Sequence, residues 1–146
     1  MLKQFLVGLA TLTAAGALLA DAPIGYVKTV SGSATVTTAD KVVKAEVGTP
    51  VFLGSVLQTG KSSSLGLTLK DETIMSFGSD TQLTVDEYLY APAEGKLKLN
   101  SRLARGSLNY VSGVIAKLQP DAVTVKTPSG VIGVRGTQFL LKVDPE

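Results

Sequence analysis

The chain has 146 residues, enough for one domain, and contains neither cysteine nor histidine. That composition excludes disulfides, thiolate nucleophiles, imidazole bases, an acylated cysteine anchor and nearly every zinc or copper site. Lysine and arginine number 14, and aspartate and glutamate number 12, so the nearly balanced charge gives no electrostatic reason to expect nucleic acid as a partner.

The first twenty residues have the layout of a secretory signal peptide. Lys3 is followed by an uncharged, apolar run from Phe5 to Ala20 and then by small residues. This run is shorter than the roughly 20 residues that span a bilayer. We expect a signal peptide over residues 1–20, cleaved after Ala20 or Ala22; the alternatives are an uncleaved membrane anchor and a buried N-terminal helix. An exported chain without cysteine fits a bacterial periplasm or the exterior, with no membrane span after cleavage.

From Tyr26 onward the apolar residues alternate with a period of two. Such alternation places one set of side chains on a buried face and the other set in water. It is clearest in the segments SATVTT, LGLTLK, TQLTVDE, GKLKLN and DAVTVKT. Glycine, proline and aspartate interrupt these segments at the spacing of about 8–12 residues that is typical of all-β folds. The sequence therefore predicts an all-β domain over residues 24–143.

Many short strands, few aromatic residues and many glycines favour a rolled or solenoid-like sheet, similar to a β-helix. A two-sheet sandwich or a barrel is the alternative architecture. Only LYAPAEGK, Leu89–Lys96, indicates a longer loop. No segment after the signal peptide predicts two clean turns of amphipathic helix.

Residues capable of catalysis do not occur in a recognisable arrangement. A GxSxG elbow and a Ser-x-x-Lys pair are both absent from the sequence. The neighbouring carboxylates Asp71-Glu72 and Asp86-Glu87 cannot flank one bond, as a glycosidase pair does, because adjacent strand residues point to opposite faces. We interpret both pairs as turn and surface acids. The sequence predicts no enzyme activity, no catalytic residue, no metal site and no cofactor.

The stretch TPSGVIGVRGTQFLL, Thr127–Leu141, spaces its glycines at Gly130, Gly133 and Gly136. A dinucleotide-binding loop requires GxGxxG before a helix, and a P-loop requires Gly-Lys-Ser or Gly-Lys-Thr. Here the spacing is GxxGxxG, and strand-forming residues follow it. The stretch therefore predicts two strands and a turn, with glycines that let the backbone bend or approach its neighbours closely.

Arg135 is the only charged residue between Lys126 and Lys142. We interpret it as a structural clamp, because the rigid five-donor guanidinium can satisfy several loop carbonyls inside a domain. A surface arginine that faces water and an arginine that contacts a ligand are the alternatives.

The segment VTVKTPSGVIGVRGTQFLLKV resembles the closing signature of the FecR domain family, in which a strand ending in Thr-Pro leads to a small-apolar run and Arg-Gly-Thr-x-Phe. Segments Gly54–Tyr88 and Leu103–Val111 resemble the upstream pattern of the family, and IGYVKTVSGSATV resembles its opening. One departure is Asp71-Glu72-Thr73, where the family usually has Asp-Gly-Ser. The resemblance covers about Ile24–Val143.

The resemblance implies the fold and an exported setting, and it does not carry over control of a sigma factor. We interpret the signature residues as structural: Thr127, Pro128, Gly130, Gly133, Arg135, Gly136, Thr137 and Phe139. The predicted function is an exported, non-enzymatic β-module that binds an envelope protein or polymer. The alternative is a component of a periplasmic or envelope signalling system that acts with a membrane regulator.

Overall fold

The computed structural model describes residues 22–144, and the predicted signal peptide over residues 1–20 lies outside them. Strands make up 59% of the structure and helices 9%, so the predicted all-β class is confirmed. The sheet, which is antiparallel except for one parallel strand pair, is curled into a half-barrel.

Within the described residues there are twelve strands: β1 (Gly25–Ser31), β2 (Ala34–Thr38), β3 (Lys41–Lys44), β4 (Pro50–Val51), β5 (Val56–Thr59), β6 (Ser64–Leu69), β7 (Ile74–Phe77), β8 (Gln82–Ala91), β9 (Lys96–Val111), β10 (Val123–Thr127), β11 (Gly130–Gly133) and β12 (Gln138–Val143). The helical segments are α1 (Val114–Leu118) and two 3₁₀ turns, Pro92–Glu94 and Pro120–Ala122.

The strands form one hydrogen-bonded sheet in the order β3-β2-β5-β8-β9-β7-β6-β1-β4. The remaining strands join at β9, where β10 and β12 pair directly with it and β11 pairs with β10. Strand β9 is 16 residues long, and it connects the two halves of the sheet. Strands β8 and β10 flank Leu99–Arg102, whereas β7 and β12 flank Leu108–Val111.

Alternating burial along the strands produces the core. On β6, Leu65, Leu67 and Leu69 are each at most 2% exposed, whereas Thr68 between them is half-buried and Gly66 is covered by Thr29. The same alternation buries most apolar residues of the other predicted segments, namely Ala34, Val36, Leu83, Val85, Leu99, Val123 and Val125, and leaves Leu97 partly buried. Each fully buried aliphatic side chain contributes about 1.5–3 kcal/mol to folding, so the period-two pattern accounts for most of the core.

The predicted loop over Leu89–Lys96 is wrong. Strand β8 continues to Ala91, a 3₁₀ turn follows, and β9 starts at Lys96, which pairs with Ala91. Gly95 lies in the left-handed region at φ 69°, where glycine has no steric penalty. Proline and glycine are concentrated in this segment because they form the tight turn of a long hairpin.

Helix α1 was not predicted from the sequence. It has five residues, which is too short to show a helical period. Its first turn is fixed by a residue far away in the sequence, because the Val114 N–H donates to the Asp71 carbonyl at 2.7 Å.

Candidate interaction surface

The Thr127–Leu141 stretch forms the hairpin β10–β11, a short connection and the start of β12. Thr127 pairs with Gly130 across a turn of two residues, Pro128 and Ser129. The Thr127 hydroxyl donates to the Gly130 carbonyl at 3.1 Å and accepts from the Ser129 N–H at 3.3 Å. The predicted strand–turn–strand arrangement is therefore observed.

The sequence predicts that Gly133 allows a close approach of the backbone to its neighbours, but the structure shows no such approach. A Cβ atom built at this residue would meet no other atom within 4 Å. The expectation of close approach is wrong at Gly133, because β11 is exposed and has a partner strand on one side only.

The interpretation of Arg135 as a buried clamp is also wrong. Its guanidinium lies at the surface and pairs with Asp121 at 3.2 Å, where the two side chains are 82% and 79% exposed. The connection between β11 and β12 is exposed except for Val134, and the side-chain hydrogen bond that Arg135 makes within the described residues is to Asp121. An isolated charge in an apolar segment indicates burial only if the segment itself is buried.

The carbonyls after Arg135 are bound by a serine that the sequence analysis did not single out. Ser112 donates its hydroxyl to the Gly136 carbonyl at 2.6 Å and its N–H to the Thr137 carbonyl at 2.8 Å. Phe139 then stacks on Tyr110, with ring centroids 5.0 Å apart. These contacts attach the start of β12 to β9.

The most heavily hydrogen-bonded carboxylate in the described part of the chain belongs to Asp71, which is completely buried. Its Oδ1 accepts from the Tyr88 hydroxyl at 3.0 Å and the Thr73 N–H at 3.3 Å. Its Oδ2 accepts from the Thr73 hydroxyl at 2.8 Å and the Ile115 N–H at 3.1 Å. The interpretation of Asp71 as a surface acid is therefore wrong, whereas its neighbour Glu72 is exposed.

Two tyrosines near this carboxylate have a raised pKa. Burial, followed by the negative charge of Asp71, raises the pKa of Tyr88 above its ordinary value. Burial likewise raises the pKa of Tyr110 to about 12; Asp71 adds to the shift and Thr73 opposes it. Both phenols therefore stay neutral at ordinary pH. Tyr88 acts as a hydrogen-bonding group, and Tyr110, whose buried hydroxyl has no hydrogen-bond partner among the described residues, acts as a packing group, which makes the cluster structural.

The remaining acids of the predicted pairs lie on the outer surface. Asp86 faces Arg102 at 3.4 Å, and Glu87 faces Lys98 at 2.9 Å. The contacts of Glu87 with Lys98 and Asn100 lower its pKa. Residues 22–144 contain no group of three or more acidic side chains placed to hold a metal ion.

Four of the described strands pair on one side only: β3, β4, β11 and β12. An unpaired strand edge presents N–H and C=O groups to which a further strand can bind. Large apolar side chains are exposed on three of these strands, with Val42 on β3, Val131 on β11 and Leu140 on β12 at 64%, 62% and 75%. The free edges are therefore the candidate interaction surface.

An open groove of about 630 Å³ lies beside β3. Its apolar lining includes Val43 and Leu53, which are 41% and 47% exposed. Lys41 lies at the same groove.

A second cleft of about 710 Å³ lies where the hairpin β10–β11 meets the end of β12. Ile132, Leu141 and Val143 supply its apolar lining, and Arg105 and Lys142 are the basic residues. This cleft, together with the β11 edge, is called the β11 cleft below.

No helix in the described residues is long and apolar enough to cross a membrane.

The fold and its free edges define a rolled all-β domain with exposed strand edges. The family model described as FecR protein matches residues 55–146, and the chain belongs to this family, as its closing signature predicted. Domains of the family occur in regulators of envelope signalling. Strands β1–β4 precede the matched residues and pair within the same sheet. No curated protein and no solved structure matches the chain.

Proposed function

We propose that the chain is an exported, non-enzymatic β-module that binds a partner protein in the bacterial envelope. In this proposal residues 1–20 direct export and are removed. The domain then acts in the periplasm or outside the cell, and its contacts are made at the edge of the sheet.

The observation that supports the proposal is the exposure of large aliphatic side chains at free strand edges. Val42, Val131 and Leu140 are each more than 60% exposed, and two open clefts with apolar linings adjoin these strands. An edge that combines unpaired backbone groups with apolar pockets is the surface that β-strand addition uses to bind proteins. Aliphatic groups of this kind favour a polypeptide partner over an envelope polymer.

A role in envelope signalling is the second candidate. Membership of the FecR family favours it, since domains of the family occur in envelope-signalling regulators. In that case the partner would be a membrane regulator, and the chain would act on it in trans.

Affinity capture tests the proposal. The exported chain, carrying a C-terminal tag, is recovered from cells with its bound material after mild crosslinking. Protein partners are then identified by mass spectrometry and polymers by sugar analysis. We expect one envelope protein in stoichiometric yield, and a sensor kinase or an anti-sigma regulator would support signalling. Recovery of polymer alone, or of no partner, would contradict the proposal.

Intact-mass measurement of the same sample tests export. A mass corresponding to loss of the first 20 or 22 residues is expected. A full-length mass in the membrane fraction would show an anchored chain instead.

A further inference from the structure

Two hairpins of the sheet have the same pairing register around a turn of two residues, and both end in free edge strands. In β2–β3, Thr38 pairs with Lys41 across two turn residues, and Thr37 pairs with Val42. In β10–β11, Thr127 pairs with Gly130 across two turn residues, and Val131 is the next residue on the outer strand. Val42 and Val131 are therefore equivalent positions, and they are 64% and 62% exposed.

The two edges differ in their protection against strand addition. Lysines and prolines on an edge discourage a further strand from pairing. Strand β3 carries Lys41 and Lys44 at its two ends, β4 contains Pro50, and β12 contains Lys142. Strand β11 reads Gly-Val-Ile-Gly. Among the one-sided strands of the described chain, it alone has neither a charged residue nor a proline.

The backbone of β11 is also oriented to accept a strand. In a hairpin with a two-residue turn, the pair that closes the turn exchanges hydrogen bonds, and the next pair does not. The N–H and C=O of Val131 therefore point away from β10, and no strand of the described chain pairs with that side.

The cleft beside this edge has the chemistry to receive alternate side chains of an added strand. Ile132 pairs with the buried Val125 and so lies on the inner face, where it lines the cleft with Leu141 and Val143. Arg105 is exposed there and makes no ion pair within residues 22–144.

The outer side of β11 is basic as well. Lys126, which pairs across from Val131, is exposed on the outer face and is not part of any ion pair among the described residues. Lys142 lies 4.0 Å from Asp144, with both side chains highly exposed. The surroundings of β11 therefore carry more positive than negative charge.

We infer that β11 is the docking edge of this module, and that its occupant is an extended segment of a partner protein in which apolar residues alternate with acidic ones. The segment pairs with the backbone of Val131, places its apolar side chains over the β11 cleft, and directs its carboxylates to the opposite, outer face, where Lys126 lies. This inference rests on the proposed function, because it names the site and the class of segment that the module binds.

Binding of a synthetic peptide tests the inference directly. The probe is a fluorescently labelled seven-residue peptide of alternating valine and glutamate, titrated with the purified chain and followed by fluorescence polarisation. Two further peptides serve as ligand controls. One carries N-methyl groups on alternate backbone nitrogens, which removes strand pairing but keeps the side chains. The other has lysine in place of glutamate. We expect saturable binding of the acidic peptide and no binding of either control.

A matched pair of variants locates the site. Val131→Pro removes the outward N–H of β11, and Val42→Pro makes the equivalent change on β3. We expect Val131→Pro to weaken binding about tenfold, the effect of one lost hydrogen bond in a desolvated contact. Val42→Pro should change it less than about twofold, since β3 is not the docking edge. The N-methylated peptide reports on strand pairing with the wild-type chain, so a variant that fails to fold leaves the test intact.

Several results would overturn the inference. These are the absence of saturable binding, equal binding of the N-methylated or the lysine peptide, and equal weakening by the two proline variants. A wild-type dimer in sedimentation experiments that Val131→Pro dissociates would show that a second copy occupies the edge. If Val131→Pro captures the envelope partner unchanged, β11 is the wrong site while the proposed function stands. If the wild-type chain captures no protein, the proposed function itself fails.

Discussion

Asp71→Ala should remove a large part of the folding stability of the domain. The carboxylate accepts four hydrogen bonds, three of them from Thr73 and Ile115, which are completely buried. Alanine would leave those three donors without a partner and out of reach of water. Each buried, unsatisfied donor costs about 1–3 kcal/mol, so we expect a loss of at least about 3 kcal/mol from a total of about 5–15 kcal/mol.

Asp71→Asn should cost less. The amide keeps the shape of the side chain and one acceptor oxygen, so only some of the four hydrogen bonds are lost. We expect about 1–3 kcal/mol for this variant. The order of stability, wild type above asparagine above alanine, identifies hydrogen bonding as the cause.

Urea unfolding followed by far-UV circular dichroism measures these losses. For a small domain the free energy falls by about 1–3 kcal/mol per molar urea. A loss of 3 kcal/mol therefore lowers the midpoint by about 1 M or more. Asp86→Ala is the matched control, because Asp86 is 38% exposed beside Arg102, and surface pairs of this kind contribute about 0.5 kcal/mol. Equal midpoints for Asp71→Ala and Asp86→Ala would refute the reasoning.

Three further predictions concern single residues. Arg135→Ala and Arg135→Lys should each change the unfolding free energy by less than about 0.5 kcal/mol, because the ion pair with Asp121 is highly exposed; losses of about 2 kcal/mol in both urea melts would restore the buried clamp. Gly113→Ala should lower the melting temperature strongly, since a Cβ there would overlap the backbone of Asp71 and Thr73. Gly133→Ala is the control, because the space around Gly133 is open, and it should leave the melting temperature unchanged. Equal melting temperatures for the two variants would contradict this prediction. Because the pKa of Tyr110 is raised to about 12 from about 10 in an unfolded chain, the stability from its buried neutral phenol is complete below pH 10 and is lost as the pH rises through 12. Between pH 9 and pH 11.5 the urea midpoint should therefore fall less for Tyr110→Phe than for the wild type. An equal fall in both proteins would contradict the raised pKa of Tyr110.

The strands and the core could be predicted from the sequence because both depend on local alternation. Leu65, Leu67 and Leu69 are two residues apart, and each is buried. The closing signature was informative for a similar reason, since its strand, turn and strand are contiguous in the chain. These features require no knowledge of what lies across the sheet.

The features that were missed depend on contacts between distant parts of the chain. The partners of Asp71 on Tyr88 and Ile115 are 17 and 44 residues away, so an Asp-Glu pair in a turn gives no local sign of burial. Arg135 shows the opposite case. The apolar segment around it indicated burial, whereas the structure leaves both β11 and the connection that carries Arg135 largely exposed. The difference between the edges β3 and β11 becomes visible only when both are known to be unpaired.

Site-specific photocrosslinking in living cells tests the central claim most directly. A photoreactive phenylalanine analogue is placed at Val131 in one strain and at Val42 in another, at equivalent positions on the two free hairpin edges. Our account predicts a covalent adduct with an envelope protein from position 131, with the crosslinked peptide in an extended acidic segment, and little adduct from position 42. Adducts of equal yield from both positions, adducts with a polymer, or none at position 131 would contradict it.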